Sequence, residues 1–246
     1  MSQFIASKSP TLTDVSEDVT FPPSDLLSDE PPLETDLHRR QMELLINSLE
    51  CWWQERQDFY VSGNLTVYYS PNQRKSEDFR GPDFFVVLDA ERRDRKSWVV
   101  WLEDGKYPNV IVEILSDTTA AVDKGLKKEI YQNTFRTPDY FWFDPYTLEF
   151  AGFHLVDGQY QELVPTSQGW FWSQQLGLYL GIHENRLRFF TAEGQLVFQA
   201  EEQQREQAEH ERQRAEHERQ RAEQAEQEVE RLRSQLRALS VDPQTL

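Results

Sequence analysis

The chain has a single cysteine, Cys51, in 246 residues. That excludes a disulfide framework within the chain and any cysteine-based zinc site, and it suits a reducing cytoplasm. No basic start followed by an apolar stretch opens the sequence, so no signal peptide is expected. No apolar run approaches the roughly 20 residues that cross a bilayer, so no membrane partner is expected either. Positive charge is scarce as well: 26 Lys and Arg stand against 43 Asp and Glu, a formal net charge of -17. Such a chain repels a polyanion at long range. This argues against a protein that coats DNA without specificity. Work on a nucleic acid needs a local basic patch or bound cations.

Aromatic residues are plentiful: seven Trp, nine Tyr and fifteen Phe support a packed core. Residues 1–33 are dominated by Ser, Thr, Asp, Glu and Pro and read as a flexible arm. Residues 34–200 read as one α/β domain. Leu37, Met42, Leu44, Leu45, Leu49 and Trp52 recur at helical spacing, with Thr35 as N-cap. Strand-like runs follow at 58–70, near 83–90, in "SWVVWLED" and in "NVIVEILS". A helix is expected near 119–135, capped by Thr118 or Thr119, with Val122, Leu126, Ile130 and Phe135 as its buried face. "DYFWFDP" reads as a short buried strand. Beyond it, Asp157-Gly158 and Glu193-Gly194 mark hairpin turns.

Residues 201–246 differ in kind. "AEHERQR" occurs twice in tandem, from Ala208 and Ala215, and the seven-residue spacing continues through Ala222, Val229 and Leu236. A second seam runs through Glu211, Glu218, Ala225, Leu232 and Leu239. Large apolar residues fill both seams only in the last two heptads. Two readings stand side by side: a solvated single helix, or a coiled-coil stalk that makes homo-oligomers.

The most informative residue is Glu113. It sits inside "NVIVEILS", a run that otherwise asks to be buried. A lone buried carboxylate costs several kcal/mol unless it is compensated. Pro82-Asp83 opens an earlier apolar strand that can pair with this one, so two carboxylates can converge at neighbouring strand ends. Such a pair suits a hard divalent cation, Mg²⁺ or Mn²⁺. Each part also has a plainer reading: a turn for Asp83, a structural ion pair for Glu113, an ordinary i,i+4 helix pair for Asp123 and Lys127.

"GPDFFVV", "VIVEILSDTT", "DKGLKKEIYQ" and "YFWFDP", in this order, resemble the Uma-two family of restriction-endonuclease-like proteins, within the PD-(D/E)xK nuclease-like superfamily. The resemblance implies a restriction-endonuclease-like core, a mixed β-sheet flanked by helices, here with added β-hairpins and a long C-terminal helix. It implies metal-dependent DNA cleavage. By resemblance, Asp83 and Glu113 are the acidic metal-holding positions. The usual lysine place, two residues after the second acid, holds Leu115. The matching lysine is then Lys127 on the next helix, with Lys124 and Lys128 as alternatives. Asp123, Lys127 and Tyr131 share one helical stripe. Ser116 is placed to hold a water or phosphate oxygen, and Glu34 and His38 match a polar pair on the first helix. Arg92, Arg93, Arg95 and Lys96 are candidate phosphate contacts, although a plain polar loop fits them better. The rival to a nuclease is a catalytically silent nuclease-like fold used for protein interaction.

Overall fold

The structure, a computed structural model, describes residues 35–69, 79–116 and 119–240, without the side chains of 236–240. The N-terminal arm, Glu34, residues 70–78 and Thr118 lie outside the described residues.

Helix α1 (Asp36–Trp52) begins as its sequence requires: the Thr35 hydroxyl accepts the His38 N–H at 3.2 Å. Strands β1 (Phe59–Ser62), β2 (Val67–Tyr68), β3 (Phe79–Arg80), β4 (Phe84–Leu88), β5 (Trp98–Val99) and β6 (Val110–Ile114) follow. Then comes α2, a helical segment whose turns alternate between α (Ala120–Val122, Lys128–Ile130) and π (Asp123–Lys127, Tyr131–Phe135). Strands β7 (Asp139–Phe143), β8 (Phe150–Val156), β9 (Gln159–Glu162), β10 (Phe171–Ser173), β11 (Leu178–His183) and β12 (Arg186–Phe190) complete the domain, and α3 (Ala200–Ser240) leaves it.

The main sheet has six strands in the order β1-β4-β6-β7-β8-β9, with β6 and β7 parallel and the other pairs antiparallel. A parallel pair needs a crossover, and α2 supplies it. Side chains alternate between faces. Phe84, Val86, Val110, Val112, Phe141 and Phe143 pack on one face with Leu45 and Leu49 of α1 and Leu187 and Phe189 of β12. Phe85, Val87, Ile111, Tyr140 and Trp142 pack on the other face with Tyr131 and Phe135 of α2. Each fully buried side chain of this size contributes about 2 kcal/mol or more by leaving water. Gln41 of α1 donates to the Leu187 carbonyl at 2.9 Å and accepts the Leu187 N–H at 3.1 Å, joining α1 to the smaller sheet β10-β11-β12.

The Asp157-Gly158 hairpin forms as expected, both residues having positive φ (50° and 81°), the twist a two-residue hairpin needs. A second tight turn at Glu184-Asn185, φ 50° and 59°, joins β11 to β12. "SWVVWLED" makes only the two-residue β5, in a separate small sheet β3-β2-β5, before turning into a 3₁₀ helix (Val100–Leu102).

The expected buried face of α2 holds at Phe135, which is buried, and at partly buried Ile130, and is corrected in its first half. Val122 and Leu126 are exposed, 45% and 55%, while Asp123 and Tyr131 are buried. The stripes 122/126/130 and 123/127/131 lie about 100° apart on a helix, so they cannot both face the sheet squarely. The polar stripe wins because Glu113 faces it.

Candidate active site

Glu113 and Asp83 lie on the same face of the sheet. The last printed partners of β4 and β6 are Phe84 and Val112, so Asp83 stands opposite Glu113 one step further on. Directly opposed residues of an antiparallel pair project to the same side. The Ile114 N–H donates to Asp83 Oδ2 at 2.8 Å and fixes that carboxylate at the mouth of β4. His38, reaching in from α1, places Nε2 3.1 Å from Asp83 Oδ1.

Glu113 is fully buried, and α2 supplies its partners. The Tyr131 hydroxyl donates to Oε1 at 2.7 Å and the Lys127 ammonium to Oε2 at 3.1 Å. The same ammonium lies 2.8 Å from Asp123 Oδ1. Tyr140, from β7, donates its hydroxyl to the Asp123 carbonyl at 2.8 Å. That bond pins the π turn from which Lys127 reaches the sheet. Of the three candidate lysines, Lys124 pairs with Glu149 at 2.8 Å and Lys128 lies over the Phe153 ring. Geometry therefore singles out Lys127.

Electrostatics follow from burial. Desolvation raises the Glu113 pKa well above its ordinary value, and the Asp83 and Asp123 charges add to the rise against Lys127. Desolvation works in the same direction on Asp83, but His38, Lys127 and the Ile114 N–H outweigh it and hold its pKa low. Burial opposes charge on Lys127 too. There the three carboxylates win, and its pKa is raised. Three acids thus converge on one ammonium and outnumber it three to one.

That excess is the observation that tests a dication here. Among the described residues no three His, Cys, Asp or Glu side chains form a ready metal cage. Mg²⁺ does not require one: it keeps several waters and takes one or two carboxylates. Asp83 and Glu113, opposed in the register of β4 and β6, are hard carboxylate donors of that number, so the residue types fit.

The other expected residues sort themselves. Ser116 braces the residue before α2: its hydroxyl accepts the Thr119 N–H at 3.2 Å and meets Thr119 Oγ1 at 2.9 Å. Of the two expected caps, Thr119 stands at the N-cap position without a side-chain cap bond, and Thr118 lies outside the described residues. Arg95 fits the polar-loop reading and is engaged within the fold. Its guanidinium grips both Glu103 oxygens, at 2.7 and 2.9 Å, and lies over Tyr60 and Trp98. Arg93 also reaches Glu103, at 2.7 Å, and Arg92 approaches Glu50 at 3.6 Å. The sequence reading missed Tyr140, which looked like one aromatic among several in "DYFWF". It also missed buried Asp139, which accepts from Ser173 Oγ at 2.6 Å and the Gln175 N–H at 3.0 Å and meets His154 Nδ1 at 2.6 Å. The signal for Asp139 was the one that exposed Glu113, an acid attached to an apolar strand.

A crystal structure titled as a "putative nuclease belonging to DUF820" from Anabaena variabilis is similar over 60% of this chain and 76% of that chain, at 11% identity and a TM-score of 0.43. No curated protein matches the chain. Residues 26–191 match the model of the Uma2 family, described as "Putative restriction endonuclease". That match spans most of the chain and takes in both facing acids, the crossover helix and its lysine: the protein belongs to the Uma2 restriction-endonuclease-like family.

Proposed function

We propose that the protein is a divalent-metal-dependent endonuclease that hydrolyses DNA phosphodiester bonds. The observation that carries the reading is the meeting of Asp83, Glu113 and Lys127 at one point of the sheet. Asp83 and Glu113 would hold Mg²⁺ or Mn²⁺. When bound, such an ion polarises the phosphodiester and lowers the pKa of a water. Lys127, 18% exposed, directs two of its three N–H donors to Glu113 and Asp123 and offers the remaining one to a phosphate oxygen or the attacking water. Tyr131 orients Glu113, and His38 orients Asp83. Asp123 holds Lys127 in place and adds negative charge that favours a cation. Glu34, outside the described residues, is a third carboxylate only by the family resemblance. The C-terminal helix is the self-association element, and two joined sites can address two strands of a duplex. The single cysteine suits action in the cytoplasm.

The test is cleavage of supercoiled plasmid DNA in Mg²⁺ or Mn²⁺, with Lys127→Ala alongside. The intact protein cuts, and the variant is slower by about a hundredfold, the usual cost of losing one charge-stabilising donor. Equal rates would remove Lys127 from the chemistry. No cleavage by the intact protein with either ion would leave a silent fold.

A further inference from the structure

Helix α3 runs 41 residues, about 60 Å, and its described side chains beyond the first turn are exposed. Its root is fixed: the buried Arg188 of β12 donates to both Glu202 oxygens, at 2.9 and 2.6 Å, and to the Val197 carbonyl at 3.2 Å. The rest has no partner surface among the described residues, yet Val229 and Leu232 stand 46% and 47% exposed on it. We infer that this helix pairs with a second copy of itself as a parallel two-stranded coiled coil confined to the last heptads, from about Ala222 onward, while the half nearer the domain stays apart. This deepens the self-association named above and does not depend on the nuclease reading.

The heptad frame supports that choice. With Ala208, Ala215, Ala222, Val229 and Leu236 at a, position d holds Glu211, Glu218, Ala225, Leu232 and Leu239. A β-branched residue at a followed by leucine at d favours two parallel strands, and Val229 with Leu232 is such a pair. In the half nearer the domain, the d seam holds two glutamates, and flanking Arg214 would face Arg219 of the second copy. Those charges keep the seam open.

Across a parallel pair, position g meets e′ of the next heptad. Arg221 then faces Glu226 of the second copy, and Glu228 faces Arg233. Glu228 is already engaged within the helix by Arg231 at 2.7 Å. Arg219 is likewise engaged, by Glu223 at 3.3 Å and Glu216 at 3.8 Å. Arg221 and Glu226, five residues apart, lie on different faces of their own helix and cannot pair within it. They are the complementary charges left for a partner, and they flank the apolar layers. An antiparallel pair of the same segments would instead set Glu226 against Arg233 of the second copy. The two geometries differ in one partner, and a charge swap distinguishes them.

The experiment is analytical ultracentrifugation of the full chain over a concentration series at low and high salt. The intact chain is expected to show a reversible monomer–dimer equilibrium. Glu226→Arg places Arg221 against arginine on both sides of the pair and weakens the dimer by about tenfold or more. The double change Glu226→Arg with Arg221→Glu restores it, and Glu226→Arg with Arg233→Glu does not. A fourth variant, Leu232→Glu, abolishes the dimer. Circular dichroism confirms that each variant keeps its helix. A chain that stays monomeric throughout overturns the proposal. So does a trimer, or rescue by the Arg233 swap in place of the Arg221 swap. Mass is the readout, so the result stands apart from any cleavage assay.

Discussion

Asp83 and Glu113 stand opposite each other on β4 and β6, and the amide that follows Glu113 holds Asp83 in place at 2.8 Å. One backbone N–H thus ties the orientation of one acid to the strand that carries the other. A buried strand tolerates Glu113 because α2 turns a polar stripe toward it. Even so, the three carboxylates outnumber the ammonium.

That imbalance sets a pH dependence in metal-free buffer. The Glu113 pKa is raised by burial above its ordinary 4.5. The folded state therefore binds the proton more tightly than the unfolded chain does. Its contribution to stability is full below about pH 4.5 and is lost as pH rises through the folded pKa. Asp83, whose pKa is lowered from 3.8, contributes the opposite way: its stability is present above that value and lost as pH falls through the folded pKa. Glu113→Gln keeps acceptor and shape but removes the ionisation. Chemical denaturation from pH 4 to 9 is expected to show this variant gaining on the parent as pH rises. A constant offset across the range would contradict the assignment.

Removing the ammonium is the opposite change. Lys127→Met leaves Glu113 and Asp123 buried without their cation, and breaking a buried pair in this way costs about 3–5 kcal/mol. Much of the loss should return at low pH, where the acids take up protons. A melting temperature within a degree of the parent at neutral pH would show that the ammonium does not compensate these acids.

Leu115 occupies the usual lysine place, yet it is 1% exposed and packs with Ile111, Tyr131 and Tyr140. Restoring the common pattern with Leu115→Lys is expected to cost several kcal/mol, because the ammonium enters an apolar cluster without an acid of its own. Cleavage should not increase. A stable, more active variant would mean that Lys127 is a poor substitute.

Asp139 is a buried acid whose partners are structural. It joins β7, β8 and the chain leading to β11 through His154, Ser173 and the Gln175 amide. Asp139→Ala strands several buried polar groups and is expected to cost about 3 kcal/mol by denaturant titration. A change below about 0.5 kcal/mol would mean that water replaces the carboxylate at little cost.

Much of this was legible in the residues. The apolar run around Glu113 announced a central strand, and the i,i+4,i+8 spacing of Asp123, Lys127 and Tyr131 announced the stripe that meets it. What misled was the competition between two stripes on α2. Val122 and Leu126 are apolar, but hydrophobicity alone does not say which face a buried acid will claim. Arg95 was legible only in part. Trp98 and Glu103 lie three and eight residues further along the chain, but Tyr60 of β1 reaches the guanidinium only through the fold. Tyr140 was hidden because its role depends on a carbonyl of a π turn, which side-chain spacing does not reveal.

The central claim is that Asp83 and Glu113 together hold one divalent ion. Calorimetric titration with Mn²⁺ tests it most directly, on the full chain and on Asp83→Ala and Glu113→Ala, each checked for folding by circular dichroism. The account predicts binding to the intact chain and its loss in both folded variants. An intact chain that takes up no Mn²⁺, or a folded variant that binds it as tightly as the parent, would contradict the account.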